Sequence, residues 1–165
     1  MEDALQPDPC LRFTRRLWAD LTSELHLRTE GHHESGAFLL GRNTAGARQV
    51  VTLVYYDELD PTAYETGVCV LHADAFGRLW EICKDNGLSV VADAHVHGGR
   101  AGQSESDRKN PMVARPGHIA LIFPRMARAP IRRWSVGFYE YLGSHEWRAH
   151  GGCGVGRFLK IEDDR

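Results

Sequence analysis

The chain has 165 residues, 42% of them hydrophobic and 25% charged, with a formal net charge of −2. This is an ordinary globular composition, long enough for one core and one domain, and it excludes collagenous and intrinsically disordered classes. No apolar run nears the roughly 20 residues that span a bilayer, the N-terminus does not resemble a secretory leader, and the charge argues against nucleic acid. A cytoplasmic protein with no membrane and no nucleic-acid partner is therefore expected.

Residues 1–10, "MEDALQPDPC", read as a flexible N-terminal arm, and residues 11–165 as a single domain. From Leu11 to Leu27, apolar Leu11, Leu17, Trp18, Leu21 and Leu25 recur near helical spacing, which predicts a helix with one core-facing stripe. "GHHESG" breaks that pattern, and "AFLLGR" and "RQVVTLVYYDE" follow as strands joined by a turn. After the loop "LDPTAYET", "GVCVLH" reads as a short strand. "ADAFGRLWEICKDNG" then reads as a second helix, with Phe76, Leu79, Trp80 and Ile82 inward and Gly87 as its stop. "LSVVADAHVHG" has the β-rich composition of a central strand, and "GHIALIFP", "RWSVGFYEYLG" and "EWRAHGG" supply three more. The expected fold class is α/β, a single-domain mixed β-sheet of about seven strands sandwiched by two main helices.

Charge is spread unevenly: residues 95–134 hold 8 basic and 2 acidic side chains, whereas residues 1–94 hold 8 basic and 15 acidic ones. The basic block is either a solvated face or a docking surface for an acidic partner. Cys10, Cys69, Cys83 and Cys153 contain no C-x-x-C pair, so a zinc knuckle and a redox motif are excluded and reduced thiols are expected.

The chemistry concentrates in "ADAHVHGGRAGQSESDRKNP", residues 92–111. Residues i and i+2 of a strand point to one face, so His95 and His97 project side by side where the strand ends. Zinc accepts imidazole nitrogens, and a catalytic site keeps three protein ligands and one open position. Asp107 is the nearest candidate for the third ligand. H-x-H alone describes many pairs of surface histidines. Ser104-x-x-Asp107 also reads as a capping box opening a short helix, a role compatible with presenting both side chains to the histidines. Hydrolysis further needs a general base, and Glu34, directly before an apolar strand, is the candidate. His32 and His33, which flank it, read as exposed loop residues. His118 reads as a structural hydrogen-bonding residue.

Other histidine-based sites fit less well. "DAHVHG" also matches the opening of amidohydrolase barrels, but those need around 250 residues. His33-Glu34 is not followed by the second histidine of a zincin, and the P-C-x-x-C of a nucleobase deaminase is absent.

"ESGAFLLG", a strand–helix–strand, and then "HVHGGRAGQSESD" resemble the JAMM (MPN-plus, Mov34/PAD-1) metallopeptidases. "GHIALIFP" and "GFYEYLG" are similar to the bacterial branch, so the resemblance covers about residues 12–150. It implies MPN/JAB1-like, cytidine deaminase-like layering and a Zn2+ ion held by His95, His97 and Asp107. It also implies Glu34 as general base and Ser104 as the group that hydrogen-bonds the water or the oxyanion. The implied activity is a zinc-dependent isopeptidase that cleaves after the C-terminal glycine of a ubiquitin-like β-grasp protein. The implied setting is a bacterial conjugation operon with E1-like and E2-like partners, some such operons serving antiphage defence. The extended tail of the substrate is expected to add to a strand edge near "DELDPTAYETG". Trimming of a sulfur-carrier precursor, or a zinc-free MPN scaffold, are the alternatives, and the oligomeric state is left open. Two departures stand out. Gly98 replaces the proline usual after the second histidine, and the spacer to Ser104 is one residue short. Gly98, Gly99 and Gly102 are expected to supply the backbone freedom for a tighter loop.

Overall fold

The computed structural model describes residues 9–164. Most of the expected N-terminal arm, residues 1–8, therefore lies outside the described residues. Of its last two residues, Cys10 is buried, and Leu11 opens the first strand.

Eight strands form one mixed sheet. They are β1 (Leu11–Thr14), β2 (Gly36–Thr44), β3 (Ala47–Tyr55), β4 (Ser89–Val96), β5 (Ile119–Phe123), β6 (Gly137–Gly143), β7 (Glu146–Ala149) and β8 (Leu159–Glu162). Their order across the sheet is β7-β6-β5-β4-β2-β3-β1-β8. The helices are α1 (Arg15–Arg28), α2 (Tyr56–Leu59), α3 (Ala73–Asn86) and α4 (Glu105–Lys109).

Alternation along β2 divides the core. Ala37 and Leu39 pack in one cluster with Trp18, Leu21 and Leu25 of α1; Phe38 and Leu40 pack in another with Ala75, Leu79 and Cys83 of α3. The two main helices thus cover opposite faces of the sheet, as expected. Burying each Leu or Phe of these clusters contributes about 1.5–3 kcal/mol.

Several elements differ from expectation. The first helix begins four residues late, because Leu11–Thr14 is a strand and Thr14 caps α1, its hydroxyl accepting from the Leu17 amide at 3.1 Å. β3 ends at Tyr55, and the "YDE" that follows turns into α2, where the Glu58 carboxylate accepts from the Tyr55 amide at 3.1 Å. "GVCVLH" is an extended segment outside the sheet, since no neighbouring strand offers it a ladder. "RWSVGFYEYLG" opens with a 3₁₀ turn over Arg133–Ser135 before β6 begins. Trp80, placed inward by periodicity, is 48% exposed; α3 ends at Gly87, whose φ of 61° is the left-handed stop expected. The seven strands become eight because β1 and β8 replace the one that does not form. No helix among the described residues is long and apolar enough to cross a membrane.

Candidate metal centre

Sheet pairing creates the site. β4 runs antiparallel to β2 with His95 opposite Gly36, so the C-terminal end of β4 lies beside the N-terminal end of β2. Glu34, two residues ahead of β2, therefore arrives next to the histidines despite the 61 positions between Glu34 and His95. Along β4, Ala92, Ala94 and Val96 face the α1 cluster, while Asp93 and His95 line a cavity of about 430 Å³ on the α3 face. Glu34, Ser104 and Asp107 line the same cavity, with Phe76, Met112 and Trp147 among its apolar walls.

His97 sits just past β4 and points to the side of His95. The two Nε2 atoms are 3.0 Å apart. Asp107 closes a triangle, with Oδ1 at 3.2 Å from His95 Nε2 and Oδ2 at 3.2 Å from His97 Nε2. Two ligands of a tetrahedral zinc at 2.0–2.1 Å are separated by about 3.3 Å. The two nitrogens, 3.0 Å apart, are close to that spacing and each lies 3.2 Å from a different oxygen of the one carboxylate; two imidazoles plus one carboxylate is a donor set that suits zinc. The residues present fit the ion.

Asp107 is held from behind. The Ser104 hydroxyl accepts from the Asp107 amide at 3.1 Å, and Asp107 Oδ2 accepts from the Ser104 amide at 2.7 Å. The capping box and the approach to the histidines coexist, as the spacing allows. Burial acts to raise the Asp107 pKa, but hydrogen bonds from His95 and His97 outweigh it and hold the carboxyl well below the usual range. The same bond from the Asp107 side raises the His97 pKa, aided by a hydrogen bond to the Gly102 backbone. Glu34 Oε1 lies 3.9 Å from His97 Nε2. Burial pushes its pKa up, against the pull of His95, His97 and a hydrogen bond from the Cys69 backbone. A carboxylate raised in this way accepts a proton more readily than a solvated one.

The short loop after His97 follows a path without left-handed glycines. None of Gly98, Gly99 or Gly102 has a positive φ. The left-handed residues are opposite, at Arg125, Met126 and Ala127, with φ of 53°, 56° and 54°. This turn grips the loop: the Met126 amide donates to the His97 carbonyl at 2.8 Å and the Arg125 amide to the Gly99 carbonyl at 2.9 Å. His26 Nδ1 donates in turn to the Met126 carbonyl at 2.9 Å. Three consecutive non-glycine residues in this region cost of order 1–3 kcal/mol each. "RMA" carries no sequence signal for such a turn. Asp93 was also missed, although it precedes His95 by two and must share its face. It is buried and paired with His118 Nε2 at 2.5 Å, which places His118 in the structural role expected of it.

No protein-family model matches the chain. Over 133 residues it is 29% identical to the "Probable metalloprotease y4jG" of Sinorhizobium fredii (strain NBRC 101917 / NGR234), covering 76% of this chain and 79% of that protein. Among solved structures, it is similar to protein DSY2949 from Desulfitobacterium hafniense, with TM-score 0.63 and 16% identity over 93% of this chain and 95% of that one. It is also similar to a protein from Salinibacter ruber (strain DSM 13855), with TM-score 0.51 and 21% identity over 79% and 84% of the two chains. These structures share the fold. A distant relationship to a protein named as a metalloprotease accompanies the candidate metal centre.

Proposed function

We propose that this protein is a zinc-dependent metallopeptidase of the JAMM (MPN-plus) type, with MPN-like layering, acting in the cytoplasm. The observation that carries the proposal is the His95–His97–Asp107 triangle with Glu34 at its edge. The relative named as a probable metalloprotease supports hydrolytic chemistry. The completeness of the residue set speaks against an inert scaffold.

His95, His97 and Asp107 would hold the ion, which when bound would supply a Lewis acid for the scissile carbonyl and for a water molecule. Glu34 takes the proton of that water and delivers it to the departing amine. Ser104 Oγ accepts from the Asp107 amide, so its hydroxyl proton remains free to donate to the developing oxyanion; losing one such donor costs about 2.7–4 kcal/mol of barrier. No thiol takes part. Burial raises the Cys69 pKa well above the ordinary thiol range, which keeps it protonated and unreactive.

The substrate proposed is the C-terminal glycine tail of a ubiquitin-like β-grasp protein, joined to a lysine or to a short extension, with E1-like and E2-like proteins as operon partners. The Val68–Leu71 segment, which joins no strand, lines the cavity beside Glu34 and is the backbone proposed to receive an added strand. Arg100, Arg125, Arg132 and Trp134 line a second groove of about 710 Å³, a basic surface for an acidic face of the modifier. Arg132→Glu is expected to raise KM with little change in kcat. Arg133 is a poorer choice than the charge count indicates, because it donates to the Leu159 carbonyl at 3.2 Å.

The deciding experiment measures zinc per chain in purified wild type, His95→Ala and Asp107→Ala, together with cleavage of a ubiquitin-like protein carrying a C-terminal extension. About one zinc in the wild type, lost in both variants, with Glu34→Ala metal-bound and inactive, is the expected outcome. A folded wild type that binds no added zinc overturns the proposal.

A further inference from the structure

The turn preceding Glu34 carries a second group of metal-ligating side chains that the proposed hydrolysis does not use. We propose that Glu30, His32 and His33 form a second, weaker site for an imidazole-preferring divalent cation such as zinc or nickel, on the rim of the metal centre. One donor atom from each lies within 4.8 Å of the others. His33 Nε2 is 3.8 Å from Glu30 Oε2, and the two imidazole rings are 4.9 Å apart.

The hydrogen bonding of these rings distinguishes them from ordinary loop histidines. His32 Nδ1 lies 3.0 Å from the Glu30 carbonyl, and His33 Nδ1 lies 2.8 Å from the Glu34 carbonyl. A carbonyl only accepts, so each Nδ1 carries a proton and each neutral ring keeps its lone pair on Nε2. Histidine ligands generally show this arrangement, with one nitrogen on the metal and the other donating to a carbonyl or carboxylate.

The backbone is equally prepared. The Thr29 carbonyl accepts from the amides of both His32 and His33, and the Thr29 hydroxyl accepts from the Gly31 amide. Glu30 and Gly31 both take left-handed φ values, 50° and 78°, which folds the segment back on itself. His33 stacks on Tyr64 at 5.2 Å between centroids. Both rings are therefore anchored through Nδ1, and the exposed Glu30 side chain has the freedom to close its 3.8 Å gap to His33 Nε2 to about 3.3 Å. The buried group already has its two nitrogens 3.0 Å apart, each 3.2 Å from a carboxylate oxygen, so it fills first and the rim site second. Because His33 bonds the Glu34 carbonyl, an ion there also steadies the turn that carries Glu34.

The test titrates the chelator-stripped full chain with zinc alone, counting bound metal by equilibrium dialysis and following the His32 and His33 imidazole resonances by NMR. The wild type is expected to bind a second equivalent at higher zinc, shifting both sets of resonances. Glu30→Gln and His32→Ala lose only that equivalent, whereas His95→Ala loses the first and keeps the second. A folded wild type that saturates at one equivalent, or a second equivalent that persists in both rim variants, overturns the rim site. Since His95→Ala removes the buried centre alone, the failure of either site is read independently of the other.

Discussion

A Cβ built on Gly137 would lie 2.3 Å from the Ala101 carbonyl oxygen and 2.6 Å from the Tyr139 ring, so β6 touches the site loop where only glycine fits. Gly137→Ala must displace residues 99–103, whose Gly102 backbone bonds His97. The expected result is a stability loss of about 1–3 kcal/mol by urea denaturation and a zinc affinity about 10- to 100-fold weaker in a competition assay. Unchanged zinc affinity would show that the loop bears no load on His97. The Asp93–His118 pair, nearly inaccessible to solvent, lies beneath the same site. His118→Ala leaves the Asp93 carboxylate buried without its imidazole partner, with the Tyr56 hydroxyl 3.4 Å away, and is expected to cost about 3–5 kcal/mol. At this scale, legibility followed distance along the chain. His95, His97, Ser104 and Asp107 were readable because strand alternation and a capping box place them by local rules. Glu34 was a candidate from its place before an apolar strand, and the family resemblance was needed to single it out, since strand pairing across 61 positions brings it in. The Arg125–Ala127 turn was illegible, because nothing in three L-residues announces a left-handed path.

Among the elements, the failures share a cause: a strand exists only if a neighbour accepts it. Val68–Leu71 has strand composition but finds no ladder, and Asp60 organises this stretch instead. Its carboxylate accepts from the Thr62 hydroxyl and amide and from the His72 amide and ring, and Val70 donates to the Ala63 carbonyl. These bonds, the Thr62 hydroxyl foremost, hold the Asp60 carboxyl far below the usual range. A folded pKa below the unfolded one means the stabilisation is complete above about pH 4 and drains away as pH falls through the folded value. Asp60→Ala is expected to open residues 60–72 to limited proteolysis at neutral pH, while the wild type opens only in strong acid. Equal cleavage of the two proteins at pH 7 would remove Asp60 from this role. β1 and β8 show the converse. Each has only four residues, too few for a visible period, yet they pair in parallel across the sheet edge, with the Leu11 amide donating to the Phe158 carbonyl at 2.7 Å. Deleting residues 158–165 strips β1 of that partner, and hydrogen exchange is expected to lose protection at residues 11–14 while β4 and β5 keep theirs.

For the whole molecule, what matters is how the site couples to a fold that does not depend on it. The two core clusters lie on opposite faces of the sheet and are continuous without the site, so the metal-free protein is expected to remain folded, unlike a zinc finger. The site nevertheless joins three separate pieces: the approach to β2, the end of β4 and the start of α4. An ion that binds only this assembled form stabilises it by RT ln(1 + [L]/Kd), about 2.7 kcal/mol at a hundredfold excess over Kd. For a chain of this length that converts to a rise in Tm of roughly 5–11 °C. The measurement is a thermal melt of chelator-stripped protein with and without zinc. Wild type is expected to rise by that amount and to fall back when chelator is restored. With zinc supplied only to the first equivalent, Asp107→Ala is expected to lose most of that rise, because a pair of imidazoles alone leaves α4 unattached. Zinc-induced stabilisation of equal size in the variant would mean that Asp107 is not the third ligand, and that the triangle is held by the capping box and the charged hydrogen bonds alone.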